Sequence, residues 1–402
     1  MNHAAHHTVG FSTPPELARA MGRWQTRGLL VGIVALLISG AGAIFWPDRF
    51  FQAYLASYMI YLGLSLGCLA LLMLQYLTGG AWGLVVRRLC EAAARTLPLL
   101  ALLFVPIAIG IPWLYHWSHP EAVAGDAILR HKSLYLNVPF FLVRAAVYFA
   151  GWFTLAWLLE RSGRELEQTG SPRAQRRLGV ISSIGLIFYV FSITFMAVDW
   201  VMSVDAHWFS TMFGLLFVAG QTLSAFAFLI AAVVLLQRWR PFSEVLTGRH
   251  VHDLGKLLLA LVMVWAYFAF SQFLIIWAGN LPEEIPWYLE RLRGGWQYVG
   301  LALFLLQFAL PFALLLSRDL KRNFRAIAAV AAGVLVMRFV DLFWLVAPSF
   351  HHGHFTLGFM DLALPVGLGG VWFAFFARQV ARYPLLPSSD PHLEEALEHG
   401  RE

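Results

Sequence analysis

Ten apolar runs, each near the length that crosses a bilayer, take up most of this chain and leave no stretch large enough for a separate soluble domain. A transmembrane helix needs about 20 predominantly apolar residues. The runs lie at 28–46, 51–77, 93–115, 137–159, 178–199, 209–237, 254–278, 296–317, 324–347 and 359–381. Of the 402 residues, 59% are hydrophobic and 13% charged, where soluble domains carry about 25% charged residues. The expected fold is an all-α integral membrane protein of about ten transmembrane helices. A polar tail covers 1–27, the membrane domain 28–381 and a second tail 382–402. Helices 2–5 and 6–9 suit two four-helix bundles with helices 1 and 10 peripheral, a grouping that the runs by themselves do not decide.

Lysine and arginine set the expected orientation, because loops on the cytoplasmic side of a membrane carry an excess of both. Of the 29 basic residues, 22 fall in the two tails, alternate loops and the run ends beside them, five in the other loops, and two, Arg144 and Arg338, well inside runs. Arg87, Arg88 and Arg95 are counted among the loop residues. This bias places both termini in the cytoplasm, and it makes the net charge of +6 a topology signal rather than a sign of nucleic-acid binding. The first run is too long for a signal peptide and lacks a small-residue cleavage site. His3, His6 and His7 fall in the polar tail. Nine tryptophans near the outer ends of the runs (46, 113, 117, 200, 208, 277, 287, 296 and 344) read as an interfacial aromatic belt.

Charge inside the runs is the informative exception. A charged side chain at mid-membrane costs about 2.5–3.5 kcal/mol on insertion scales, and such residues are mostly functional. Arg338 and Asp341 stand three apart on one helix face, where opposite charges meet. At 1.5 Å rise per residue, Arg144 sits at a similar depth, with Asp199 and Asp361 closer to the outer surface. Five ionisable groups in the outer half suggest one polar cavity opening there, suited to proton movement or ligand binding. Internal ion pairing is the competing reading. The turn after Asp199 adds Asp205 and His207. On the inner side His252, Asp253 and Lys256 open the seventh run, and Gln221, Gln272 and Gln307 are polar residues within runs that would bridge such groups or simply join helices. His351, His352 and His354 crowd the last outer loop; a zinc site there lacks an evident fourth ligand, which favours a solvent- or partner-facing loop. Gly367, Gly369 and Gly370 allow close helix packing, and Pro106 and Pro311 are expected to bend their helices.

The chain has no evident redox centre of its own. Its two cysteines, Cys68 and Cys90, are too few for an iron–sulfur cluster. None of the 14 histidines falls in the middle of a run, where a haem between helices would need its ligands. No phosphate loop or zinc-protease helix motif is present.

Two stretches are similar to a known family. One runs Ser192-Ile-Thr-Phe-Met-Ala-Val-Asp199-Trp200 and continues through Asp205-Ala-His207-Trp208-Phe-Ser-Thr-Met-Phe-Gly214. The other runs His252-Asp253-Leu-Gly-Lys256, then Trp265-Ala-Tyr-Phe-Ala-Phe-Ser-Gln272, then Asn280-Leu-Pro-Glu283-Glu284-Ile-Pro-Trp287-Tyr288. Together they resemble the ten-helix membrane subunits of bacterial alternative complex III, a quinol:cytochrome c oxidoreductase, and more narrowly its second, F-type, large membrane subunit. These subunits belong to the polysulfide-reductase membrane-subunit (NrfD-like) superfamily. The resemblance covers essentially the whole chain.

The resemblance implies two four-helix bundles plus two peripheral helices, in a bacterial cytoplasmic membrane. It also implies partners: a paralogous NrfD-like membrane subunit, iron–sulfur and multihaem cytochrome c subunits that carry the clusters and haems, and a terminal cytochrome oxidase as a further partner. Quinol is the candidate small ligand. In such complexes the paralogous first large subunit is the better-supported quinol site, which leaves this chain a proton-conducting or scaffolding role. Asp199, Asp205, His207, His252, Asp253 and Lys256 lie in the matching stretches. A secondary transporter, or the anchor of another molybdenum or iron–sulfur oxidoreductase, are the alternatives.

Overall fold

The computed structural model describes residues 14–351 and 353–386. His3, His6, His7, His352, the first residues of the N-terminal tail and the C-terminal tail beyond 386 lie outside the described residues. Among those described there is no strand, and ten helices are long and apolar enough to cross a membrane. We number these spans α1 (Pro15–Phe45), α2 (Pro47–Thr78), α3 (Trp82–Ile109), α4 (Val138–Thr169), α5 (Pro172–Val204), α6 (Phe213–Leu236), α7 (Gly248–Gly279), α8 (Trp296–Leu316), α9 (Phe324–Ser349) and α10 (Phe359–Arg382). The chain is an all-α integral membrane protein.

Spans α2–α5 form one four-helix group and α6–α9 a second. They meet where α6 packs on α2 and α5, and where α9 also touches α2. The α2 helix is the most enclosed, buried from Ala53 through Met73. Small residues allow that enclosure: a Cβ on Gly67 would run into the backbone of Gln221 and the side chain of Ala225 on α6. Lipid tails are as apolar as leucine, so close packing and interhelical hydrogen bonds, not hydrophobicity, hold such helices together. One polar knot joins three spans: Ser65 and Thr96 share a 2.7 Å hydrogen bond, and the Trp372 indole donates to both at 2.9 and 3.0 Å.

The outer pair, α1 and α10, cross on glycine. A Cβ on Gly32 would lie 2.7 Å from the Val371 nitrogen and 2.9 Å from the Gly367 carbonyl oxygen, and Gly370 faces the Gly28 carbonyl. The third glycine, Gly369, instead makes room for the Tyr61 ring.

Two boundaries differ from the sequence reading. The first helix begins at Pro15, not near 28, because proline is favoured in the first turn and nothing in the polar segment that follows breaks a helix. The third span begins near 82, not 93, so Arg87 and Arg88 are helix residues rather than loop residues, and Arg95 caps the first helical segment of the span. They read as a loop because charge ordinarily ends an apolar run; here it is neutralised inside the protein. The α3 helix breaks at Thr96 and Phe104, each two residues before a proline (Pro98, Pro106) that lacks the N–H for continued bonding. In α8 the turn over Leu303–Ala309 widens to π geometry just ahead of Pro311, whose ring would clash with the Gln307 carbonyl in a regular helix.

The tryptophan belt also needs correction. Trp46 and Trp277 are exposed, but Trp117, Trp200, Trp208, Trp287 and Trp296 are buried. They pack the loops onto the bundle ends, as where Trp208 stacks on Trp287 at 4.7 Å.

If the glycine crossing holds the outer pair, Gly32→Leu will overpack it and lower stability by about 1–3 kcal/mol. Gly40→Leu, on the same helix with nothing within 4 Å of its added carbon, serves as the control. Thermal unfolding in detergent reads the difference; equal melting of the two variants removes the crossing as a stabilising contact.

Candidate functional site

Both termini of the described chain lie on one face, with most loop arginines; we term it the basic face and the other the far face. The five ionisable groups read as converging do not line one cavity. The structure divides them into three places.

In the first bundle, Arg144 on α4 donates from Nε to Asp199 Oδ2 on α5 at 2.8 Å and from Nη1 to the Tyr135 carbonyl at 2.9 Å. The Tyr148 hydroxyl donates to the same Asp199 oxygen at 2.7 Å. The guanidinium lies over the Tyr135 and Phe140 rings at 3.9 and 4.3 Å, a cation–π sandwich. Asp199 is fully buried, yet its Oδ1 and the Arg144 Nη2 have no hydrogen-bond partner. A buried polar atom in that state calls for a partner such as bound water.

In the second bundle, Arg338 Nη1 donates to Asp341 Oδ2 on the same helix, α9, with both side chains about 2% exposed. Gly220 on α6 makes the pair possible, since a Cβ there would overlap the guanidinium. Above this pair the Tyr189 hydroxyl donates to Gln221 Oε1 at 3.0 Å. Arg338 Nη2, Gln221 Nε2 and the Trp265 indole nitrogen are buried without hydrogen-bond partners. Gln307, in the π turn of α8, is buried with neither side-chain polar atom bonded. Gln272 reaches only Ser210 and Tyr288, each at 3.5 Å.

Asp361 takes a third position. It caps the start of α10, accepting from the Gly358 N–H at 2.8 Å. It lines a cavity of about 160 Å³ with Arg49, Gln52 and His351.

Asp205 and His207 line a separate far-face cavity of about 480 Å³, with His116, His119 and Glu290. His207 Nε2 lies 2.6 Å from Asp126 Oδ2, tying the 110–137 loop to the α5–α6 turn. Lys132 reinforces the tie by donating to the Ala206 carbonyl at 2.6 Å. The bond to His207 and the backbone N–H groups of Leu129 and Ile128 hold the Asp126 carboxyl below the usual carboxylate range. Arg291, in the α7–α8 loop, caps the far end of α9 by donating to the Trp344 and Leu345 carbonyls at 3.2 and 2.9 Å. Burial lowers its guanidinium to about 9, still protonated at neutral pH.

At the basic face His252, Asp253 and Lys256 do come together. Lys256 Nζ sits 2.9 Å and His252 Nδ1 3.8 Å from Asp253 Oδ1. Sequence reasoning missed a larger group nearby in depth. Arg88 bridges Glu91 and Glu167 at 2.8 and 2.7 Å, and Arg95 bridges Glu160 and Glu91 at 3.1 and 3.4 Å. Arg87 adds a 3.4 Å contact to Glu91. Three arginines of α3 thus meet one glutamate of their own helix and two of α4. The available signal was the i, i+3 and i, i+4 spacing of Glu91 from Arg88, Arg87 and Arg95, which on one helix face pairs opposite charges. Among the described residues no set of three or more His, Cys, Asp or Glu side chains is arranged to hold a metal ion.

Removing one partner of a buried ion pair strands the other charge and costs about 3–5 kcal/mol, whereas replacing both by apolar residues is often neutral. Arg338→Leu alone is therefore expected to destabilise strongly, and the Arg338→Leu/Asp341→Leu double variant to recover most of the loss. Thermal denaturation of the four members of this cycle tests it; a double variant as unstable as the single one contradicts the pairing. The Asp126 carboxyl, with its pKa depressed in the fold, stabilises the far-face tie at every pH above the ordinary carboxylate value of about 4. That contribution disappears as pH falls through the depressed value. Protease cleavage within 110–137 should rise on such acidification, and Asp126→Asn should raise cleavage at neutral pH and flatten the acid response.

No protein-family model matches the chain, and no curated protein matches it.

Proposed function

We propose that this chain is a membrane subunit of a respiratory quinol:cytochrome c oxidoreductase of the alternative complex III type. In this reading it acts in the bacterial cytoplasmic membrane, with the basic face cytoplasmic as the arginine bias favours. Partner subunits carry the haems and iron–sulfur clusters. This chain supports quinol oxidation by its partners and offers protonatable groups within the membrane.

The observation that carries the reading is the pair of buried carboxylates, Asp199 and Asp341, each held by an arginine inside a different bundle. Charge at that depth is expensive and marks ion or proton pathways more often than scaffolding. The unbonded Asp199 Oδ1, Gln221 Nε2 and Gln307 atoms supply sites for bridging water between such groups. Asp199 also sits in the stretch that resembles the family's membrane subunit. Oxidation of quinol near the far face would release protons where Asp199, Asp205 and Asp361 lie.

Purification under mild conditions tests the assembly: haem- and iron–sulfur-bearing subunits should accompany the chain. Isolation of the chain free of them, with substrate transport on reconstitution, points instead to a secondary transporter. Within the intact complex, Asp341→Asn should lower quinol:cytochrome c turnover by about 100-fold, the low end of the effect of losing one proton-transfer group, or reduce the number of protons moved per quinol. Unchanged values for both discard the proton-path role.

A further inference from the structure

The crevice at Asp361 has a construction that neither buried arginine pair needs. Its inner chamber lies between α2, α9 and α10, lined by Ala53, Ala56, Phe343 and Met360, with Asp361 as its carboxylate. Gln52 adds a carboxamide oxygen that is buried and without a hydrogen-bond partner. An outer chamber of about 550 Å³ shares Trp46, Arg49, Gln52 and His351 with it and adds Asp48, His354 and Thr356. The two chambers therefore adjoin. Arg49 and His351 are the basic side chains that share the inner chamber with Asp361.

Apolar side chains are exposed at the far ends of α1 and α10: Phe45, which lines the outer chamber, is 73% exposed, Ile44 79% and Leu362 61%. These belong to membrane spans, so lipid chains bathe them. Asp361 lines only the inner chamber, with the Phe343 and Phe359 rings; Arg49, Gln52 and His351 line both chambers, and the outer one adds the His354 imidazole and the Asp48 carboxylate.

We propose that this crevice binds the headgroup of a zwitterionic phospholipid, an ammonium joined to a phosphate, with the acyl chains lying along α1 and α10. The ammonium donates to Asp361 and Gln52 Oε1 and faces the Trp46, Phe343 and Phe359 rings, which attract cations. The phosphate takes the Arg49 guanidinium, a charge-assisted contact. A purely anionic headgroup would set its glycerol and phosphate against the Asp361 carboxylate. A neutral aromatic diol would leave Arg49 without an anion. The site depends only on the chain's being a membrane protein and is independent of the respiratory reading.

Native mass spectrometry of the full chain, in whatever complex it purifies with, released from nanodiscs of mixed phosphatidylethanolamine and phosphatidylglycerol, reads the occupant directly. The expected result is one phosphatidylethanolamine retained in preference. Asp361→Asn and Arg49→Gln should each lower that retention about tenfold, the weight of one charge-assisted contact, and Asp361→Glu should restore it. Arg49 is exposed, so its variant keeps the test decisive where Asp361→Asn fails to fold. Equal retention of phosphatidylglycerol, retention unaffected by both variants, or an isoprenoid quinone held in the lipid's place overturns the proposal.

Discussion

Inside a bilayer a charged or polar side chain has no water to turn to, so its partner must come from the protein itself. That requirement organises this molecule more than apolar burial does, because lipid satisfies leucine as well as a neighbouring helix can. The positions of α3 against α4, α4 against α5 and α6 against α9 are each fixed where a charge found its counter-charge or where a glycine was kept to admit one. The enclosed α2 helix completes the arrangement from the apolar side: small residues such as Gly67 let its neighbours approach closely, and Ser65 anchors α3 and α10 through Thr96 and Trp372.

The two bundles solve the same problem differently. Each closes with a helix that runs to the far face and carries a Val-Asp pair, Val198-Asp199 on α5 and Val340-Asp341 on α9, and each of these helices ends in a 3-10 turn. In the first bundle the arginine comes from the neighbouring helix, so the pair also ties α4 to α5. In the second it comes three residues earlier on the same helix, so the pair is neutral without a charge from a neighbouring helix. Tyr148 adds a second donor to Asp199, whereas in the second pair it is the Arg338 guanidinium that lies against α6, in space left by Gly220. The two carboxylates thus differ in how freely their surroundings can rearrange around a change of charge.

The all-helical architecture and its ten spans were legible in the sequence because a run of some 20 apolar residues has few other solutions. The start of α3 was not, since Arg87, Arg88 and Arg95 look like the edge of the membrane until Glu160 and Glu167 are brought beside them. Those partners lie 65 and 79 residues away in the chain, and no local pattern couples them. Depth counting placed Arg144 near Asp199 but could not say which side of each helix they occupied, and so merged three separate sites into one. Gly220 carried no signal, because its role is defined by a guanidinium 118 positions later.

The glycine crossing between α1 and α10 has a consequence for how the chain is made. Among the described spans α1 comes first in the chain, yet it rests chiefly on α10, with only a lesser contact to α2. Its glycine face therefore stays uncovered in the lipid until α10 is inserted. The seam between them closes only after the eight intervening spans have been made.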